Sequence, residues 1–273
     1  MKIKYFIMLS LVAFAAVLSS PTAGFASILN SSDSFAVLAG SEVTNTGISN
    51  VYGDIGVWGG SSITGYESLN QTGTVHQTDA IAQSAQGDLT NAYNGLAGMP
   101  ATNNLTGDLG GRTLTPGVYN YASSAQLTGI LNLDAQGHDN AYWVFQIGTT
   151  LTTAASSSVV LLNPGLNNGI FWQVGSPVTL GSDTSFLGNI LADQSITLGT
   201  NVDVLGRALA RIGAVTMDTN LIDNRLGFNG GLEFDENGGI TPVTAVPTVP
   251  EPATLSLLGL GLLGFKWRKV NLK

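Results

Sequence analysis

Between about residues 144 and 222 the chain copies itself roughly every eighteen residues, and a period that short leaves few folds open. Leu187-Gly188-Asn189-Ile190-Leu191-Ala192 recurs as Leu205-Gly206-Arg207-Ala208-Leu209-Ala210, eighteen positions later. In a second register Thr150-Leu151, Thr179-Leu180, Thr197-Leu198 and Thr216-Met217 read as equivalent pairs, the last three spaced by 18 and 19 residues. Val178, Ile196 and Val215 precede those three pairs, so each reads apolar, Thr, apolar. That alternation is a half-buried strand with Leu or Met inward and Thr outward.

A period near eighteen fits a β-solenoid coil of about three short strands joined by corners. Stacked coils bring equivalent residues to ~4.7–4.9 Å of one another, so the threonines form a ladder up one face while equivalent apolar residues stack inside. Gly148, Gly175, Gly199 and Gly206 suit the corners, where positive φ is required. The expected class is therefore all-β dominated. One segment departs from it: Ile81, Ala85, Leu89, Ala92, Tyr93 and Leu96 fall at helical spacing, predicting a helix over 78–96. Thr78 or Asp79 can cap its start, Gly98 and Pro100 follow its end, and Gly87 weakens it by roughly 1 kcal/mol. Its single apolar stripe predicts packing along the solenoid. Residues 230–252 are rich in Gly, Pro and acids and read as a flexible linker, which leaves 27–229 as the domain.

Composition excludes several functions. Residues 27–250 hold Arg112, Arg207, Arg211 and Arg225, no lysine, and 17 of the 18 acids, a net charge near −13. Such a surface repels nucleic acid. There is no cysteine, so stability comes from packing and backbone pairing rather than disulfides. Catalytic signatures are equally sparse. The two histidines, His76 and His138, have no cysteine, second histidine or nucleophile elbow beside them. Asp193 and Asp203 could act as an acid–base pair only if the fold joined them. Glu233-Phe234-Asp235-Glu236-Asn237-Gly238 imitates the opening of a calcium loop, but Thr244 stands where its last acid is required. The residues predict no enzyme, no metal site and no cofactor. What remains is the threonine ladder. A hydroxyl bonds water and a methyl orders it, so a regular uncharged array could hold a repeating water layer; taken alone, the residues favour the plainer reading that Thr suits exposed strand positions.

A set of strings runs in order from about 30 to 225: Phe35-Ala36-Val37-Leu38-Ala39-Gly40, Gly53-Asp54-Ile55-Gly56, Leu114-Thr115-Pro116-Gly117-Val118-Tyr119, Val144-Phe145-Gln146-Ile147-Gly148, Phe171-Trp172-Gln173-Val174-Gly175 and Gly206-Arg207-Ala208-Leu209-Ala210. In these strings the chain resembles the β-solenoid ice-binding-protein-like family. The resemblance implies a discontinuous three-faced β-solenoid with one long helix alongside and coils assembled from both ends of the chain. It also implies ice, or the ordered water at its surface, as the partner of a Thr/Ser-rich face. The residues assigned to that face are Thr150, Thr153, Thr179, Ser182, Thr197, Thr200, Thr216 and Thr219. Potent members carry Thr-(Ala/Gly)-x-(Thr/Asn) at each coil. Thr153-Ala154-Ala155-Ser156 comes close, while Ser182-Asp183-Thr184-Ser185, Thr200-Asn201-Val202-Asp203 and Thr219-Asn220-Leu221-Ile222 depart from it. Asp183 and Asp203 are expected to place hydrated charges near the face and weaken ice contact.

The two ends read as addresses. Lys2 and Lys4, an apolar run from Tyr5 to Leu18, and Gly24-Phe25-Ala26 form a secretory signal over 1–26, cut by signal peptidase. Pro250-Glu251-Pro252, the apolar run Ala253 to Phe265 and the basic cluster Lys266-Trp267-Arg268-Lys269 resemble a PEP-CTERM sorting signal over 253–273. That resemblance implies an exosortase-type enzyme as partner, transient membrane insertion of the tail, and delivery to the surface or matrix of a Gram-negative bacterium. With that address, a second function stays open: a matrix or adhesion protein whose solenoid is inert or binds exopolysaccharide.

Overall fold

The computed structural model describes residues 27–243, so the predicted signal at 1–26, the rest of the linker and the 253–273 tail with Pro250, Glu251 and Pro252 lie outside the described residues. The repeat folds as stacked coils. Leu187–Ala192 pairs in parallel with Leu205–Ala210 residue for residue, so the eighteen-residue offset is one coil. Each coil contributes to three faces. One is a seven-stranded sheet; the other two run together as a fifteen-stranded sheet, because Ser185–Ala192 and Asp203–Ala210 bend round a corner in mid-strand. Gly188 (φ 106°) and Gly206 (φ 147°) make that corner, and a side chain on Gly206 would collide with the Gly188 carbonyl. Gly148, Gly175 and Gly199 do not have positive φ. They are small because neighbouring coils pass against them: Gly148 lies on the Ala122 carbonyl and Gly175 on that of Gly148.

Inside the coils, equivalent apolar residues stack. Tyr119, Phe145 and Trp172 align in register, with ring centroids 5.7 and 3.9 Å apart, and Phe186 continues the stack at 4.8 Å. Two buried indoles keep hydrogen bonds, Trp143 Nε1 donating to Leu114 O (3.1 Å) and Trp172 Nε1 to Leu187 O (2.9 Å), which removes the cost of burying an unpaired donor.

The stack is discontinuous in sequence. Val37 pairs with Ala208 and Thr44 with Thr216, so the coils built from residues 35–77 sit on the last coil of the C-terminal segment. The helix Ala80–Gly98 connects the two segments. It starts two residues later than predicted because Thr78 has φ 56° and Asp79 is extended; the Asp79 carboxylate accepts the Ala82 N–H at 2.8 Å as an N-cap. It also runs two residues longer, to a C-terminus where Gln146 Nε2 donates to the Leu96 and Met99 carbonyls, both at 2.8 Å. The buried stripe is Ala82, Ala85, Gln86, Leu89, Ala92, Tyr93 and Leu96, and Ile81, expected on it, faces solvent. The stripe covers an outward column of the solenoid made by Leu38, Val118, Val144, Phe171, Leu191 and Leu209. Arg207 ties the two segments together. Almost fully buried, it pairs with Asp33 at 2.8 Å and donates to the Asn189 side chain and the Gly227 carbonyl.

Part of the predicted linker is folded. Leu232–Phe234 and Ile240–Pro242 form an antiparallel hairpin, with Leu232, Ile240 and Val243 buried. Two of the acids that suggested a linker, Asp235 and Glu236, occupy its turn, where Asp235 accepts the Asn237 and Gly239 N–H groups. Ile240 docks against helix residue Gly95, where an added Cβ would lie 2.7 Å from its Cδ1; a Cβ on Gly87 would meet nothing within 4 Å. Gly87→Ala should therefore raise stability by about 0.5–1 kcal/mol in a urea melt. Gly95→Ala, with the same gain in helix propensity, should stabilise less or destabilise, and should speed amide exchange in the 232–242 hairpin.

Candidate functional site, an outward threonine column

The seven-stranded sheet carries the ladder. Its strands run in the order Ala125–Leu127, Leu151–Thr153, Val178–Leu180, Ile196–Leu198, Val215–Asp218, Glu42–Thr46, Ser62–Thr64. The middle outward position of each strand is aligned by direct pairing: Gln126, Thr152, Thr179, Thr197, Thr216, Thr44 and Thr64. Residues on either side, such as Val178 with Leu180 and Ile196 with Leu198, are buried. Alternation thus puts one threonine outward on six successive coils, at the ~4.8 Å repeat of paired strands.

Thr179, Thr197 and Thr216 stand on this column as predicted from the sequence, but the other assigned residues do not. Thr150 belongs two positions earlier, beside Pro177, because the true partner of Thr179 is Thr152. The Thr-Leu dipeptide at 150 imitates the later pairs with a two-residue shift, which preserves the in–out parity and so hides the error. Thr153 points inward: its hydroxyl lies 3.0 Å from that of Thr184 and accepts the Gly181 N–H at 2.9 Å. Ser182 is half-buried beside Gly199 at a corner. Thr200 and Thr219 are exposed at the same kind of corner, where both hydroxyls donate to Asp218, at 2.6 and 3.1 Å. That corner has a left-handed residue in each coil, Ser156, Asp183, Asn201 and Thr219, with φ of 56–60°. Among residues with a side chain, Asn and Asp tolerate this backbone best, which accounts for Asp183 and Asn201 as turn chemistry.

Thr152, Thr44 and Thr64 were missed. The last two carry the same signal as the repeat, since Val43-Thr44 and Ile63-Thr64 are apolar–Thr pairs, but they lie on the far side of the helix in sequence. The charges expected near the face are also displaced. Asp183 sits at the left-handed corner and Asp203 opens a strand of the adjoining face, between Ser185 and Leu221. The carboxylates that flank the column are Glu42, two residues before Thr44, and Asp218, two after Thr216.

The catalytic candidates are not assembled. Asp193 pairs at 2.6 Å with Arg211, which lies over the Tyr93 ring, so this acid braces the helix, while Asp203 opens a strand and pairs with Ser185 and Leu221. His76 Nδ1 is 2.8 Å from Asp79, whose carboxyl is held below its usual range by the Ala82 N–H and by His76. His138 is exposed in a turn. Among the described residues no group of three or more His, Asp or Glu side chains could hold a metal ion.

The register has a direct consequence. Thr153→Val should cost about 1–2 kcal/mol in a denaturant melt, through the Gly181 N–H left without its acceptor and the lost contact between the Thr153 and Thr184 hydroxyls. Thr152→Val, one residue away but outward, should stay within about 0.5 kcal/mol of the parent.

Residues 37–223 match the family described as ice-binding-like, and residues 248–270 match the PEP-CTERM protein-sorting motif. An ice-binding protein from Nostoc sp. (strain HG1) is 48% identical over 271 residues, covering 97% of this chain and 96% of that protein. An ice-binding protein from Flavobacterium frigoris (strain PS1) is 32% identical, covering 69% of this chain and 72% of that one. Among solved structures, an ice-binding protein from an Antarctic biological consortium superposes with a TM-score of 0.71 at 39% identity, over 83% of this chain and all of that one. One from the Antarctic ascomycete Antarctomyces psychrotrophicus gives 0.69 at 38%, over 71% and 96%. The discontinuous parallel coils, the helix laid along them and the match across nearly the whole chain lead to one assignment: this chain belongs to the ice-binding-like family.

Proposed function

We propose that this protein binds ice through exposed threonines of the outward column on its seven-stranded sheet, without catalysis. One observation carries the reading: threonines from six coils, two chain segments and 172 positions of sequence separation are brought into one register on one face. Propensity alone explains Thr at a strand position; it does not explain the same residue at nearly every position of a column whose neighbours in space are remote in sequence. Each hydroxyl can bond water and each methyl excludes it. Side chains fixed by stacked backbone lose little further entropy when the water layer between them orders, because β-branched Thr is already restricted at χ1. The other two faces are less suited. One is covered by the helix, and the third mixes carboxylates with leucines, as in Asp203, Leu205, Leu221 and Asp223.

The sorting motif and the secretory signal support export, with processing by signal peptidase and an exosortase-type enzyme and a final place at the cell surface or in the matrix. The matrix-adhesion alternative, with exopolysaccharide as ligand, draws no support from the relatives, which are named for ice binding.

The test is thermal hysteresis and inhibition of ice recrystallisation by the exported protein. Thr197→Tyr, at an exposed position in the column, should abolish both while leaving the melting curve unchanged. A parent protein that neither shapes ice nor slows recrystallisation at high concentration would overturn the reading.

A further inference from the structure

The threonine column is continuous in register but not uniform. Along the strands from Ala125–Leu127 to Ile196–Leu198 its members are exposed, and the outward residues two positions to either side are hydroxyl, small or proline, such as Ser195, Ala154 and Gly199. The character changes where the two chain segments meet. Thr216 and Thr44 are only partly exposed, and the Thr44 hydroxyl donates to that of Thr216 at 3.2 Å, so the Thr44 proton is turned sideways along the sheet and away from water. Glu42 and Asp218 flank this pair on opposite sides. Asp218 is held in place by the Thr200 and Thr219 hydroxyls, so its charge cannot swing clear of the sheet edge.

We infer that ice contact is confined to the coils on the C-terminal segment, and that Glu42 and Asp218 interrupt the face at the seam between segments. The inference rests on the ice-binding reading above. Its physical basis is the difference between hydroxyl and carboxylate. A hydroxyl exchanges one water partner for another at little cost, whereas a carboxylate ~6.6 Å along the strand from the column keeps its own hydration shell and resists a lattice that offers no counter-ion. Two such charges astride a threonine pair already engaged with each other leave Thr64 beyond them as an isolated position.

Four variants test this by thermal hysteresis at matched concentration, with a melting curve as control. Thr179→Tyr should lose the activity and Thr44→Tyr should keep most of it. Glu42→Ser combined with Asp218→Asn should raise activity above the parent, because the face then extends across the seam. Glu42→Ser alone, at an exposed position, should raise it in the same direction and serves if Asp218→Asn loosens its corner. An active parent in which Thr44→Tyr is as damaging as Thr179→Tyr, or in which the neutralised variants stay at or below parent activity with unchanged melting, overturns the confinement. An inactive parent overturns the ice-binding reading itself.

Discussion

Everything in this molecule depends on parallel pairing across one seam. The segment around Val37 and Val43 lies beside Ala208 and Val215, joining strands remote in sequence into the same ladders that unite adjacent coils. Closing so long a loop is costly in entropy, although the cost grows only with the logarithm of its length. It is offset by pairing on more than one face, by the helix that spans the join, and by Arg207. That guanidinium is buried, which lowers its pKa, and the Asp33 carboxylate opposes the shift. A charge placed there must be met on every side, and it is met by the N-terminal 3-10 helix, a solenoid strand and the C-terminal loop at once. Pulling the two segments apart would leave that buried charge unmet, which is costly.

Constant register then turns a backbone property into a surface property. Because paired strands repeat at a fixed spacing, a residue type placed once per coil becomes a column, and column identity is decided by parity. The inward column is packed with Leu, Val and stacked aromatics; the outward one is threonine. The helix takes a second face out of solvent by laying its apolar stripe on Val118, Val144, Phe171 and Leu209. The acidic surface of the domain does not intrude until the seam.

Much of this was legible in the residues. The copy of Leu187–Ala192 at Leu205–Ala210 gave the coil and its pairing directly, since one coil apart in sequence is one strand apart in space. The helix was visible from its spacing, with an error of two residues at each end, because its limits are set by the Thr78 backbone and by the distant Gln146. Column membership was less legible. The coil between Thr152 and Thr179 is longer than those that follow, and a two-residue shift preserves parity, so Thr150 could stand in for Thr152 without breaking any pattern. Thr44 and Thr64 repeat one another twenty residues apart and pair directly, but only the remote pairing of Thr44 with Thr216 joins them to the column. The hairpin reads as linker because Glu233 on its strand and Asp235 and Glu236 in its turn mask the short apolar alternation of Leu232, Phe234 and Ile240. Linker composition and turn composition are the same chemistry.

Ice binding by this face requires that stacked coils hold threonine hydroxyls and methyls in a register that organises water. A crystal structure at a resolution that shows the hydration shell should reveal waters between successive threonines from Thr152 to Thr197, repeating at the coil spacing and better ordered than those on the third face. Waters on the threonine face that are irregular, or no better ordered than those beside Asp203 and Leu221, would contradict it.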